Sequence, residues 1–140
     1  MKTVRSGLFA AFLLAASAGV MAADKVLVHI NEGTDKAPVV LNNVKNLLNA
    51  MPKDTKVVIV GHGKGIDFML DGAKDSKGNP FEVTMQTLKD RGVEFRACAN
   101  TFKSRNLDTK TLSPEATIVP SGVAEVARLQ LKEGFAYLKP

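Results

Sequence analysis

"TKVVIVGH", residues 55–62, is the stretch on which the fold turns. Val57 to Val60 is an unbroken apolar, mostly β-branched run. A strand that shows one face to water alternates apolar and polar residues; this one does not. It reads as a strand buried on both faces, as in a parallel sheet covered by helices on either side.

Working outward, "KVLVHI" (25–30) is another such strand, followed by the turn-rich "NEGTD". Between the two, "APVVLNNVKNLLNAM" (37–51) sets Val40, Leu41, Val44, Leu47, Leu48 and Met51 at helical spacing. Pro38 falls where a first-turn proline is tolerated, and Pro52 closes the helix. Beyond the decisive strand, "GKGIDFML" predicts a short helical or irregular turn. "DGAKDSKGNP" (71–80) is a polar loop whose composition favours a mobile connection over a lid.

"FEVTMQTLKDRG" (81–92) predicts a helix with Phe81, Met85 and Leu88 on one face and Gly92 as its stop. "VEFRAC" (93–98) is a third strand. A helix start capped by Asn100 or Thr101 follows. "ATIVP" (116–120) is a fourth strand. Ser121 caps a helix over 122–134 whose buried stripe is Val123, Val126, Ala127 and Leu131. "FAYLK" (135–139) is a fifth strand. Strand and helix in alternation predict an α/β domain, a flavodoxin-like three-layer sandwich with a mostly parallel five-stranded sheet and right-handed crossovers. Pattern alone leaves the strand order open.

The chain has 140 residues and a formal charge of +5. Residues 1–22 read as a secretory signal peptide: Lys2 and Arg5, then "GLFAAFLLAASAGVM", then Val20-Met21-Ala22 at a cleavage site. An uncleaved anchor is the alternative, although the run is short and rich in Ala and Gly for a membrane span. Cleavage leaves a periplasmic domain of residues 23–140 with no stable membrane insertion and, without Lys2 and Arg5, a charge of +3. Lysines and acids are interspersed, aromatics are sparse and Trp is absent, which argues against a nucleic-acid partner.

Cys98 is the sole cysteine, so an internal disulfide and a multi-cysteine metal cluster are excluded. It remains a buried inert thiol, an intermolecular link or a reactive group. Strand alternation puts Val93, Phe95 and Ala97 on one face and Glu94, Arg96 and Cys98 on the other, more polar one. A helix beginning at Asn100 or Thr101 would aim its positive end at the sulfur, with Arg96, Lys103 and Arg105 as cationic neighbours. Both effects favour the nucleophilic thiolate.

His29, His62 and Cys98 all fall at strand ends, where open α/β sheets collect ligands. In "VGHGKGID", Gly61, Gly63 and Gly65 permit close backbone approach and exposed N–H groups that hold an anion; the run matches neither a Walker A motif nor a full dinucleotide fingerprint. A flexible turn with a solvent-facing His62 is the plainer reading, and His62 as base or hydrogen-bond partner of the thiol the other. His29, between Val28 and Ile30, reads as a satisfied buried residue. Cys98 with His29 and His62 as a metal site is a minor alternative that local spacing does not support.

Cys98-Ala-Asn100-Thr101 after Gly92-Val93, the opening strand with its Asn-Glu turn, "VVIVGHGKGIDFML" and the terminal "VPSGVAEVARLQLKEGFAYLKP" together resemble the DsrE/DsrF-like family across the mature chain. The resemblance implies a flavodoxin-like α/β/α sandwich assembled as a trimer or hexamer. In the sulfur-relay branch it implies that Cys98 accepts sulfur as a persulfide and passes it to a partner. Asn100 and Thr101 would shape the loop around it. Relay members work in the cytoplasm, whereas this chain carries an export signal, so their partners do not carry over.

The expectation is a periplasmic protein that handles sulfane sulfur through Cys98, supported by Asn100, Thr101, Arg96 and His62. It uses no cofactor or metal, and exchanges sulfur with donor and acceptor proteins or small thiols. The rival is a non-enzymatic oligomeric module that binds a small anion or a partner at Gly61, Gly63 and Gly65, with Cys98 merely lining the pocket.

Overall fold

The computed structural model describes residues 22–140, so the signal-peptide expectation for 1–22 lies, except for Ala22, outside the described residues. Five strands form one parallel sheet: β1 (Lys25–Ile30), β2 (Lys56–Gly61), β3 (Val93–Cys98), β4 (Ala116–Val119) and β5 (Ala136–Leu138). The order across the sheet is β4-β3-β2-β1-β5. Helices α1 (Ala37–Ala50), α2 (Phe81–Lys89), α3 (Ala99–Ser104) and α4 (Gly122–Glu133) connect them, with a 3₁₀ segment at Gly63–Met69. This is the flavodoxin-like layering expected, and all of its strand pairs are parallel.

The chain steps from β1 to β4 in one direction, then α4 carries it back across the sheet to β5. The two faces are therefore covered unequally. One holds the main core, where Val28, Ile30, Ile59, Phe95 and Ala97 meet Val40, Val44, Met85, Leu88 and Phe102 from α1, α2 and α3. Among the described residues, the other is covered by α4, with a small cluster of Leu27, Val58, Val60, Leu129 and Phe135.

Local chemistry explains most boundaries. Pro38 sits in the first turn of α1, and Met51 leaves helical geometry (ψ 163°) because the following Pro52 disfavours it. Gly92, at φ 87°, makes the left-handed turn from α2 into β3. The Ser121 side chain accepts from the Ala124 amide and starts α4.

Three expectations need correcting. The buried side of α4 is Gly122, Glu125 and Leu129, whereas Val123 and Leu131 are 61% and 80% exposed. Glu125 takes a core-facing position because Arg96 and Arg128 neutralise it there. Next, α3 begins at Ala99 with Cys98 in the cap position, so Asn100 and Thr101 lie inside its first turn. Finally, the 71–80 loop is a closed hairpin. Asp75 accepts from the amides of Lys77 and Asn79 at 2.8 Å each, and Lys74 and Pro80 form an antiparallel bridge.

Candidate functional site

The connection after β3 leaves on the face that Phe102 of α3 fills; the connection after β4 leaves on the opposite face with α4. Adjacent strands whose connections part in this way open a crevice at their carboxyl ends. Cys98 ends β3 and Ser121-Gly122 follows β4, so both stand at that crevice. Cys98 and Ser121, with His62, Asn100, Thr101 and Val123, line a shallow pocket of about 360 Å³.

Cys98 is 5% exposed and packs outside both apolar clusters. Burial pushes its thiol pKa up, but the polar groups of Gly122, Thr101 and Asn100 beside it outweigh that and hold it below the usual thiol value. The Gly122 amide contributes most, then the Thr101 hydroxyl, then the amides of Thr101 and Asn100. The Gly63 amide donates to Thr101 Oγ1 at 2.9 Å, so the hydroxyl keeps its own proton to donate. The starts of α3 and α4 thus both stand beside Cys98, and a thiolate is the species their free amide ends suit.

The cations expected around the thiol serve elsewhere. Arg96 pairs with Glu94 at 2.6 Å and with Glu125. Arg105 pairs with Asp67 and donates to the Gly63 carbonyl at 3.0 Å. Lys103 is exposed. Neutral donors, not cations, lower the thiol pKa.

His62 extends β2 by one residue, its amide donating to the Ile30 carbonyl at 3.2 Å. A side-chain carbon on Gly122 would lie 3.0 Å from Cys98 Cβ and 3.1 Å from His62 Cβ, so both residues flank the same point of α4. His62 Nε2 meets His29 Nε2 at 2.7 Å, and His29 Nδ1 meets the Tyr137 hydroxyl at 2.8 Å. His29 is half-buried and satisfied by these two partners. Burial first, and then the neighbouring His62, lower its pKa.

The three glycines have different positions. A Cβ on Gly61 would come within 2.5 Å of the Gly65 carbonyl oxygen, and one on Gly65 within 2.1 Å of the Ile30 carbonyl oxygen. Backbone packed against backbone is what these residues permit. The Gly65 amide donates to the His62 carbonyl and the Gly63 amide to Thr101, so neither is free for an anion. Only Gly63 lines the Cys98 pocket.

Among the described residues, no three His, Cys, Asp or Glu side chains are grouped to hold a metal ion, and no helix is long and apolar enough to cross a membrane. Sequence reasoning passed over Gly122 and Tyr137. The Pro120-Ser121-Gly122 turn from strand into helix was the available signal for the first. The second emerges only once β5 is known to pair with β1.

The model of the DsrE/DsrF-like family matches residues 6–140. Among solved structures, the fold is similar to that of MTH1491 from Methanobacterium thermoautotrophicum, itself a protein of unknown function. That pair is 25% identical with a TM-score of 0.72, over 84% of this chain and 99% of the other. It is also similar to the ychN protein from E. coli, at 14% identity and a TM-score of 0.65, over 84% of this chain and 98% of that one. No curated protein matches the chain.

Proposed function

The chain belongs to the DsrE/DsrF-like family, and from that premise we propose that it is a periplasmic sulfur carrier which takes up sulfane sulfur on Cys98 and passes it on. The Cys98 thiolate attacks the outer sulfur of a donor R–S–SH. A bond forms from Sγ to that sulfur, the donor's S–S bond breaks, and the pair of electrons leaves with RS⁻. An acceptor thiolate, from a protein or a small thiol, later removes the same sulfur and regenerates the Cys98 thiolate.

One observation carries this reading: the lone thiol lines the pocket at the crevice where α3 and α4 begin, beside the Gly122, Thr101 and Asn100 groups that lower its pKa. A buried structural cysteine has no use for such an arrangement. The absence of a second cysteine also fits, since a persulfide beside another thiol discharges as a disulfide. The exposed stripe of Val123, Ala127 and Leu131 on α4 supports assembly into a trimer or hexamer. The leader-like residues 1–22 support export.

The test is intact-mass measurement of the protein after exposure to polysulfide, with Cys98→Ser alongside. Addition of whole sulfur atoms to the native protein alone, reversed by a reductant, is the expected result. A native protein that takes up neither sulfur nor an alkylating reagent leaves Cys98 a pocket-lining residue of a binding module.

A further inference from the structure

Four side chains stand in a row at the carboxyl ends of neighbouring strands, on the face that α4 covers. His29 follows Leu27 by two residues, Tyr137 pairs with Leu27, and Val58 and Val60, which precede His62 in alternation, share that face. Cys98 follows Arg96, which binds Glu125 of α4 from the same side. Across β5, β1, β2 and β3 the row reads Tyr137, His29, His62, Cys98.

The first three are hydrogen-bonded in series, at 2.8 Å and 2.7 Å. Two imidazole nitrogens facing each other this closely share one proton: two would place N–H against N–H, and none would oppose two lone pairs. That leaves two arrangements. In one, Tyr137 donates to His29 Nδ1, His29 Nε2–H donates to His62 Nε2, and His62 keeps its proton on Nδ1. In the other every bond is reversed and His62 Nδ1 is bare. Both arrangements keep the rings neutral, which suits a His29 with lowered pKa. The other charged groups near His29 are Lys139 and Glu32, and these are paired with each other at 2.6 Å.

The geometry assigns Tyr137, His29 and His62 to a proton relay that protonates the leaving group when Cys98 takes up sulfur. It rests on the sulfur-carrier reading and supplies the half of the reaction that the thiol site lacks. The donors around Cys98 stabilise its thiolate but offer nothing to the departing RS⁻. His62 lines the same pocket. It gives its Nδ1 proton to RS⁻, forming RSH, and receives one at Nε2 from His29. His29 is replenished at Nδ1 by Tyr137, and Tyr137, 45% exposed, takes a proton from water. One proton crosses from solvent to leaving group and all three side chains end neutral. His62 is the catalytic residue; His29 and Tyr137 are positioning residues.

The test uses full-length protein and the rate at which Cys98 is modified by two disulfides. One expels a basic alkyl thiolate, the other a weakly basic nitro-substituted aryl thiolate. His62→Gln should slow the alkyl reaction by about a hundredfold, the low end for a positioned general acid, and the aryl reaction by no more than about twofold. Tyr137→Phe, at an exposed position that keeps the ring, should show the same selectivity at about two- to fivefold. Equal slowing with both disulfides, or none in either variant, overturns the relay. Sulfur uptake from polysulfide is measured in parallel. Normal uptake with no leaving-group selectivity refutes the relay alone. Selectivity without uptake refutes the sulfur-carrier reading and leaves the relay standing.

Discussion

Replacing Gly122 by alanine probes the point where α4 meets the thiol. The new methyl carbon would stand 3.0 Å from Cys98 Cβ, 3.1 Å from His62 Cβ and 3.4 Å from the Gly61 carbonyl oxygen. Carbon atoms rest at about 3.5–4.0 Å, so either the strand ends part or α4 backs away. The strand ends are held: His62 is tied to Ile30 through its amide, and Gly61 already touches the Gly65 backbone. Over-packing of this kind costs about 1–3 kcal/mol. Losing glycine's freedom in the unfolded chain returns about 0.4–1 kcal/mol. The expected net loss is about 1–2 kcal/mol, or roughly 4–8 °C in Tm for a domain of this size. The same movement draws the Gly122 amide off the sulfur, so the thiol pKa rises. Thermal unfolding reads the first effect. Alkylation rate against pH, followed by intact mass, reads the second, with its midpoint moved to higher pH. An alanine variant as stable as the native protein, with an unmoved alkylation profile, would refute the placement of α4 against Cys98.

Thr101→Val keeps the side-chain shape but strips the acceptor from the Gly63 amide and a donor from the sulfur. It should cost about 1–3 kcal/mol in urea unfolding and raise the alkylation midpoint, while Thr101→Ser restores it. Arg128, and then Arg96 against the cost of burial, hold the Glu125 carboxyl below the usual range. A depressed carboxylate stabilises the fold above its unfolded pKa of about 4.3, and that stability is lost as pH falls through the folded value. Glu125→Gln should therefore be less stable than the native protein at neutral pH, with the gap closing in acid, as denaturant titrations at the two pH values will show. Val123→Lys with Leu131→Lys alters only exposed positions and should shift unfolding stability by no more than about 0.5 kcal/mol while lowering the mass seen in sedimentation.

The layers of the fold were legible wherever sequence pattern reports directly on burial. Val57–Val60 is apolar throughout because both its faces are covered, and Phe81, Met85 and Leu88 repeat at helical spacing because one face is. The pattern misled at α4. A charged residue, Glu125, holds a core-facing place by virtue of Arg128 one turn on and of Arg96, which lies 29 residues earlier, and no local rule anticipates the second pairing. The spacing of Gly61, Gly63 and Gly65 suggested an anion cradle. Close backbone packing at Gly61 and Gly65, and a left-handed φ of 57° at Gly63, favour the same residue type, and only the three-dimensional structure distinguishes these uses. Cys98 was legible as a candidate because it is single and ends a strand. The group that most lowers its pKa, the Gly122 amide, belongs to a different crossover. The link from His62 to Tyr137 depends on a strand order that periodicity does not encode.

The division of the thiol's surroundings between two crossovers also times its reactivity. Asn100 and Thr101 are Cys98's neighbours in sequence, but Gly122 reaches it only after β4 has paired with β3 and the C-terminal helix has docked. A chain still unfolded, or one that ends before α4, carries an ordinary cysteine that is mostly protonated at neutral pH and slow to react with oxidants. The full lowering of the thiol pKa thus waits for the completion of folding. That order keeps the sulfur in its ordinary, slower-reacting form until its pocket exists to control what it meets.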